Sequence, residues 1–202
     1  MISLIKKFKS YFPPHERRLT VPTVLTIVRF VLTPCIALSL FYEQWVLGLL
    51  LFFLSATTDL LDGFIARRYN QQTKLGACLD PLADKFLIIT LFMTLALKKN
   101  PYVSIPLWFV WIVIVKDFLL ITGSLFIFSI NHDVSVKPSM LGKVTMAVQT
   151  AALMWFLIAS WCGYGSLSIN NGIMGIVIFF IVASLAHYVY NGWVIFNHLY
   201  KK

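Results

Sequence analysis

The sequence predicts an all-α integral membrane protein of six transmembrane helices preceded by an N-terminal amphipathic interfacial helix, and three observations predict it. Hydrophobic residues make up 59% of the 202 and charged residues only 12%, about half the charged share of an ordinary soluble domain. The apolar residues gather in six runs, each near the roughly 20 residues that cross a bilayer as a helix. No run alternates apolar and polar residues as a barrel strand would, and the cost of unpaired backbone in lipid then leaves a helical bundle.

Residues 1–20 come first. They carry Lys6, Lys7, Lys9, Arg17 and Arg18 against the single acid Glu16, interleaved with Ile2, Leu4, Ile5, Phe8, Tyr11 and Phe12, the composition of a segment lying in the membrane interface. A cleaved signal peptide fits less well, because the following apolar stretch is too long and no small-residue cleavage site precedes it, so the segment is expected to stay attached. One membrane domain then occupies residues 21–202, since little chain is left outside the spans.

Apolar runs and breakers place the helices at Val21 to Phe41, Trp45 to Arg67, Ala77 to Leu97, Ile105 to Ile130, Leu141 to Trp161 and Gly172 to Leu199. The first turn holds Glu43, the second connection Arg67, Arg68 and Lys74, and the third Lys98 and Lys99. Lys137 and Lys143 flank the fourth connection, the fifth is the uncharged stretch Gly163 to Asn171, and the tail ends in Lys201 and Lys202. Lys and Arg therefore collect on one side, with Lys98 and Lys99 as the exception, which places both termini in the cytoplasm. Tyr42, Trp45, Tyr102, Trp108, Trp161 and Tyr164 suit the aromatic belt of the opposite interface.

The net charge of +9 is spread over short segments between apolar runs, so anionic lipid headgroups are the expected partner and nucleic acid is not. Cys35, Cys78 and Cys162 are odd in number and widely spaced, as reduced packing residues are. His15, His132, His187 and His198 share no ligand spacing and no nucleophile partner.

Acidic residues are scarce, eight in all, and half of them fall between Asp59 and Asp84. Asp59 and Asp62 are spaced i,i+3 and Asp80 and Asp84 i,i+4, so each pair shares a helix face, and the short connection makes the two helices antiparallel neighbours. Four carboxylates at one membrane edge repel one another unless cations neutralise them. An oxygen-only ligand set without a His or Cys cluster suits a hard divalent ion, magnesium or manganese, of the kind that joins carboxylates to a phosphate substrate. Gly63, Ala66, Gly76 and Ala77 add a low-relief surface beside the acids, which a nucleotide or a neighbouring helix could approach closely. Intramembrane acids also line ion paths, so a cation carrier is the alternative from a different class.

The order Asp59-x2-Asp62-Gly63-x2-Ala66-Arg67-x8-Gly76-x3-Asp80-x3-Asp84 resembles the signature of the CDP-alcohol phosphotransferase family at every defining position. Similarity extends from about Val21 through Val148 and is strongest to phosphatidylglycerophosphate synthases and cardiolipin synthases. The resemblance implies metal-dependent transfer of the phosphatidyl group from CDP-diacylglycerol to a glycerol-type acceptor, with release of CMP. By that resemblance Asp59, Asp62 and Asp80 hold metal, and Asp84 completes a second metal position and takes the acceptor's proton. Asp59, Gly63, Arg67 and Gly76 receive the CDP group. Two ions, a cytoplasmic site, a bacterial plasma membrane and a homodimer complete the expectation, with small residues such as Ser184 and Ala186 suited to close helix packing.

The acceptor is expected to meet Arg29, Lys116 and Lys143, cations in or beside apolar helices, although snorkelling to headgroups would also explain Arg29 and Lys143. Glycerol 3-phosphate is the first expectation and phosphatidylglycerol, as in a cardiolipin synthase, the second. Phosphatidylglycerophosphate synthases carry Arg-Glu where this chain has Lys116-Asp117, and a further Arg where it has Ser124; cardiolipin synthases show Arg-Asp and lack the later Arg.

Overall fold

A computed structural model of the chain describes residues 21–68, 74–98, 100–130 and 140–200. The interfacial helix expected over residues 1–20, the Lys137 segment and the two terminal lysines lie outside the described residues. Six helices follow in order: α1 Val21–Phe41, α2 Trp45–Arg68, α3 Lys74–Leu97, α4 Leu107–Ile130, α5 Met140–Cys162 and α6 Leu167–Tyr200. Among the described residues there is no strand.

Most helix ends fall within three residues of expectation, and the start of α6 is the exception. It begins at Leu167, five residues before the expected Gly172. The break comes earlier, at Gly163, whose φ of 63° closes α5, and the amide of Asn170 already donates to the carbonyl of Ser166 at 3.0 Å. Gly172 thus continues a helix, at the modest cost a glycine carries there. Expected at Ile105, α4 starts two residues later because the Pro106 carbonyl accepts the first helical bond, from the Phe109 amide at 3.0 Å.

Among the described residues three helical stretches are long and apolar enough to cross a membrane, Thr23–Phe41, Met140–Cys162 and Leu167–Asn191; α2 offers the shorter Trp45–Asp59. The chain divides into two compact units, Met1–Leu91 and Phe92–Lys202.

In the first unit α1 packs on α2, and α1 carries its polar residues inward. Thr23, Thr26, Arg29 and Thr33 are buried, while Val24, Ile27, Val28, Val31 and Leu38 face out. A protein dissolved in water would reverse this arrangement; an apolar solvent selects it, because there the polar groups must find partners within the bundle. The turn after α1 is a Schellman cap. Gln44 N donates to Ser39 O at 2.8 Å and Glu43 N to Leu40 O at 3.1 Å, with Glu43 in the left-handed region at φ 64°, a position usually held by glycine. Beyond the turn Gly48 lets α2 approach α1: a Cβ there would stand 2.5 Å from Leu40 Cδ2 and 3.1 Å from Ser39 Oγ.

In the second unit α4 and α5 each pack on α6. Thr145, Gln149, Ala152, Phe156 and Ala159 form the buried stripe of α5, and Asn170, Met174, Val177, Ile181 and Ser184 that of α6. The alternating steps of four and three are those of left-handed helix packing. Ser184, expected to serve pairing of two copies, is buried inside this unit, whereas Ala186 is exposed. Apolar contact alone holds helices weakly in lipid, so shape and interhelical hydrogen bonds, roughly 1 kcal/mol each, carry the association. Thr145 Oγ1 donates across to Phe180 O at 3.1 Å and Asn170 Nδ2 to Tyr102 O at 2.9 Å. Phe92 stacks edge-on against Phe109 and Phe156, with centroids 5.3 and 6.5 Å away. At Gly123 the ring of Tyr188 comes so near that an added Cβ would lie 2.7 Å from Cε1.

Candidate functional site

The inward polar face of α1 delivers Arg29 to three carboxylates on the two helices that follow. Arg29 Nη2 lies 2.7 Å from Asp59 Oδ1 on α2, and Nη1 lies 3.2 Å from Asp80 Oδ1 and 2.5 Å from Asp84 Oδ1 on α3. Asp80 and Asp84 reach one guanidinium because the i,i+4 spacing stacks them on one helix face. Arg29 is 1% exposed, whereas the side chains of Asp59, Asp80 and Asp84 are 42%, 42% and 27% exposed. The cation is therefore sealed in the helix packing and the acids form the open side.

One oxygen from each of Asp59, Asp80 and Asp84 lies within 4.8 Å of the others. Oxygens around a single octahedral magnesium at ~2.1 Å stand about 3 to 4 Å apart, so small side-chain rotations close this set on one ion. The donors are hard oxygens, and the formal charge of three carboxylates and one guanidinium is about that which one divalent cation offsets. The residues present fit such an ion.

Asp62, Gly63 and Arg67 lie on the α2 backbone and Gly76 on the first turn of α3; Asp62 follows Asp59 by one helical turn. Their side-chain surroundings lie outside the described residues, as do those of Ser124. Arg29 was expected among the acceptor's ligands or at the headgroups. It is buried as counter-ion to the acids, too deep in the packing to snorkel, and the signal for this pairing is an arginine in phase with Thr26 and Thr33 on an otherwise apolar helix.

Of the two other expected cations, Lys143 is exposed at the start of α5. Lys116 is buried in α4, where its Nζ lies 2.9 Å from Asp117 Oδ1 and donates to Gln149 Oε1 at 3.3 Å. Neither Asp117's pairing nor Gln149 was foreseen. A lone amide amid apolar residues of α5 was the only hint of the latter.

The sequence model of the family described as CDP-alcohol phosphatidyltransferase matches residues 19–195 of the chain. A protein of Salmonella choleraesuis named "CDP-diacylglycerol--glycerol-3-phosphate 3-phosphatidyltransferase" is 32% identical, covering 82% of this chain and 87% of that protein. One of the same name from Blochmanniella floridana is 29% identical, over 85% and 90%. A "Probable cardiolipin synthase (CMP-forming)" of Drosophila melanogaster is 33% identical over 69% of this chain, which spans about half of that longer protein, 47%.

Proposed function

The chain belongs to the CDP-alcohol phosphatidyltransferase family, and from that premise we propose that it transfers the phosphatidyl group of CDP-diacylglycerol to sn-glycerol 3-phosphate, releasing CMP. The convergence of Asp59, Asp80 and Asp84 on the open side of Arg29 carries the proposal, because it supplies a divalent-ion site within the family's signature. We place Asp59, Asp62 and Asp80 as the metal ligands, with Asp84 beside a second ion. Magnesium or manganese bound there would offset charge on the diphosphate and on the departing CMP.

Asp59, Gly63, Arg67 and Gly76 are assigned to the CDP group, the glycines admitting it closely and Arg67 pairing with phosphate. Asp84 takes the proton of the acceptor hydroxyl as its oxygen bonds to the phosphorus bearing diacylglycerol, and the bond from that phosphorus to CMP breaks. Arg29 holds the acids' charge in check. Arg29, Lys116 and Lys143 are assigned to the acceptor's phosphate. The reading includes six spans, a bacterial plasma membrane, termini and site on the cytoplasmic side, and a homodimer. The apolar outward face of α1, with its polar residues turned inward, supports the membrane part.

A specific observation favours a second acceptor. Asp117 matches the charge of Lys116, which suits the single charge of a phosphodiester better than a phosphate monoester. Phosphatidylglycerol, giving cardiolipin, is that alternative. Purified protein given CDP-diacylglycerol with either acceptor should release CMP only with a divalent cation. Release that ignores the acceptor, or cation transport without any CMP, would sink the proposal.

A further inference from the structure

Lys116, Asp117 and Gln149 form a polar cluster inside the second unit, all three buried. The ammonium of Lys116 has three N–H donors. One is directed to Asp117 at 2.9 Å and one to Gln149 Oε1 at 3.3 Å. Gln149 is only 1% exposed, and its carboxamide oxygen is engaged by that lysine. Its Nε2, which carries two more donors, has no hydrogen-bond partner among the described residues.

The Gln149 carboxamide thus keeps its N–H donors without an acceptor among the described residues, inside a helix bundle. Buried amide donors are nearly always satisfied in native proteins. What complements unmatched carboxamide N–H groups beside the Lys116–Asp117 pair is an oxygen-rich group such as a phosphate ester. A single trapped water, the simpler occupant, accepts at most two hydrogen bonds and carries no charge.

We propose that Gln149 is a binding residue for the acceptor: its Oε1 fixes the Lys116 ammonium, and its Nε2 donates to a phosphate oxygen of a glycerol phosphate ester. This rests on the assignment of Lys116 to the acceptor made above. Soluble glycerol 3-phosphate and the headgroup of phosphatidylglycerol present the same chemistry. The amide selects phosphate over a plain alcohol without adding charge.

Gln149→Glu is the informative variant, because a carboxylate still accepts from Lys116 but has lost both donors; Gln149→Met loses both functions at similar length. CMP release is measured against each acceptor and against CDP-diacylglycerol, together with the shift in melting temperature that each acceptor causes in the detergent-solubilised protein. Both variants should raise the KM of the true acceptor about tenfold or more, as expected for a hydrogen bond to a charged group. The KM for CDP-diacylglycerol and kcat at saturating acceptor should stay within about twofold, a split that loss of packing would not produce. The acceptor whose KM moves, glycerol 3-phosphate or phosphatidylglycerol, identifies the source. Unchanged acceptor KM in the Glu variant, or equal changes for both substrates, overturns the inference while leaving the transferase reading intact. If the parent protein releases no CMP, yet glycerol 3-phosphate stabilises it and stabilises the Glu variant far less, the transferase reading fails and the role of Gln149 stands.

Discussion

Arg29 Nη2 and Asp59 Oδ1 stand 2.7 Å apart across α1 and α2, and the other nitrogen of the same guanidinium meets Asp80 and Asp84 on α3. One buried side chain thereby ties three helices of the first unit. It also lowers the mutual repulsion of three acids whose oxygens lie within 4.8 Å, in a setting where water screens poorly.

Arg29→Met is therefore expected to lower the melting temperature in chelator by the equivalent of about 1 to 3 kcal/mol, less than a fully buried pair loses because the acids are partly open. Added magnesium should stabilise the variant more than the parent, since a divalent cation replaces charge that the parent already has. Thermal unfolding in detergent, with chelator and with magnesium, measures both effects. Equal magnesium shifts in the two proteins would show that Arg29 and the metal do not share these carboxylates.

Metal removal and the acids give the next expectation. Chelation should abolish CMP release, and magnesium or manganese should restore it. Asp59→Asn should weaken manganese binding, followed by electron paramagnetic resonance, by about tenfold or more, as even changes to outer-shell partners do. Asp84→Asn should lower turnover by about 10² or more, the scale of a lost general base. Full turnover in that variant would remove Asp84 from the proton's path.

The six helices and the acid spacing were legible before the fold because both are local: an apolar run and an i,i+4 interval are complete within one helix. Arg29's pairing with the acids was not. Its partners are 51 and 55 residues away on α3, and which charge an inward arginine meets depends on how α1 packs. Gln149 was missed for the same reason, its partner being 33 residues distant on α4. The start of α6 was misplaced because Asn170, Asn171 and Gly172 have turn composition, yet Asn170 is buried with its amide on Tyr102 O. The effective breaker was Gly163 in its left-handed conformation.

Glu43 and Gly163 occupy equivalent positions in the two C-terminal caps, at φ 64° and 63°. Their closing bonds match as well, Gln44 N to Ser39 O at 2.8 Å and Tyr164 N to Ala159 O at 3.0 Å. A side chain in this region costs about 1 kcal/mol or more that glycine avoids. Glu43→Gly should thus raise stability by about 0.5 to 1 kcal/mol, and Gly163→Ala should lower it by about 1 kcal/mol. Denaturation of the two variants beside the parent reads both signs, and a destabilised Glu43→Gly would mean that the carboxylate's own contacts outweigh the backbone strain.

The Lys116 and Asp117 pair, 2.9 Å apart and buried, sets charge against charge in a low-dielectric interior. Removing one member strands the other, which costs about 3 to 5 kcal/mol in buried pairs, whereas replacing both with apolar residues of similar volume is often neutral. Asp117→Leu alone should therefore destabilise the protein strongly, and Lys116→Met combined with Asp117→Leu should recover most of the loss. Activity should separate from stability here, because the double variant keeps its fold but has no cation for an anionic acceptor. Its acceptor KM is expected to rise by about tenfold or more, the worth of a charge-assisted hydrogen bond. A double variant with parental acceptor KM would make the pair a structural tie of α4 and leave acceptor binding to Arg29 and to Lys143, whose side chain is exposed at the start of α5.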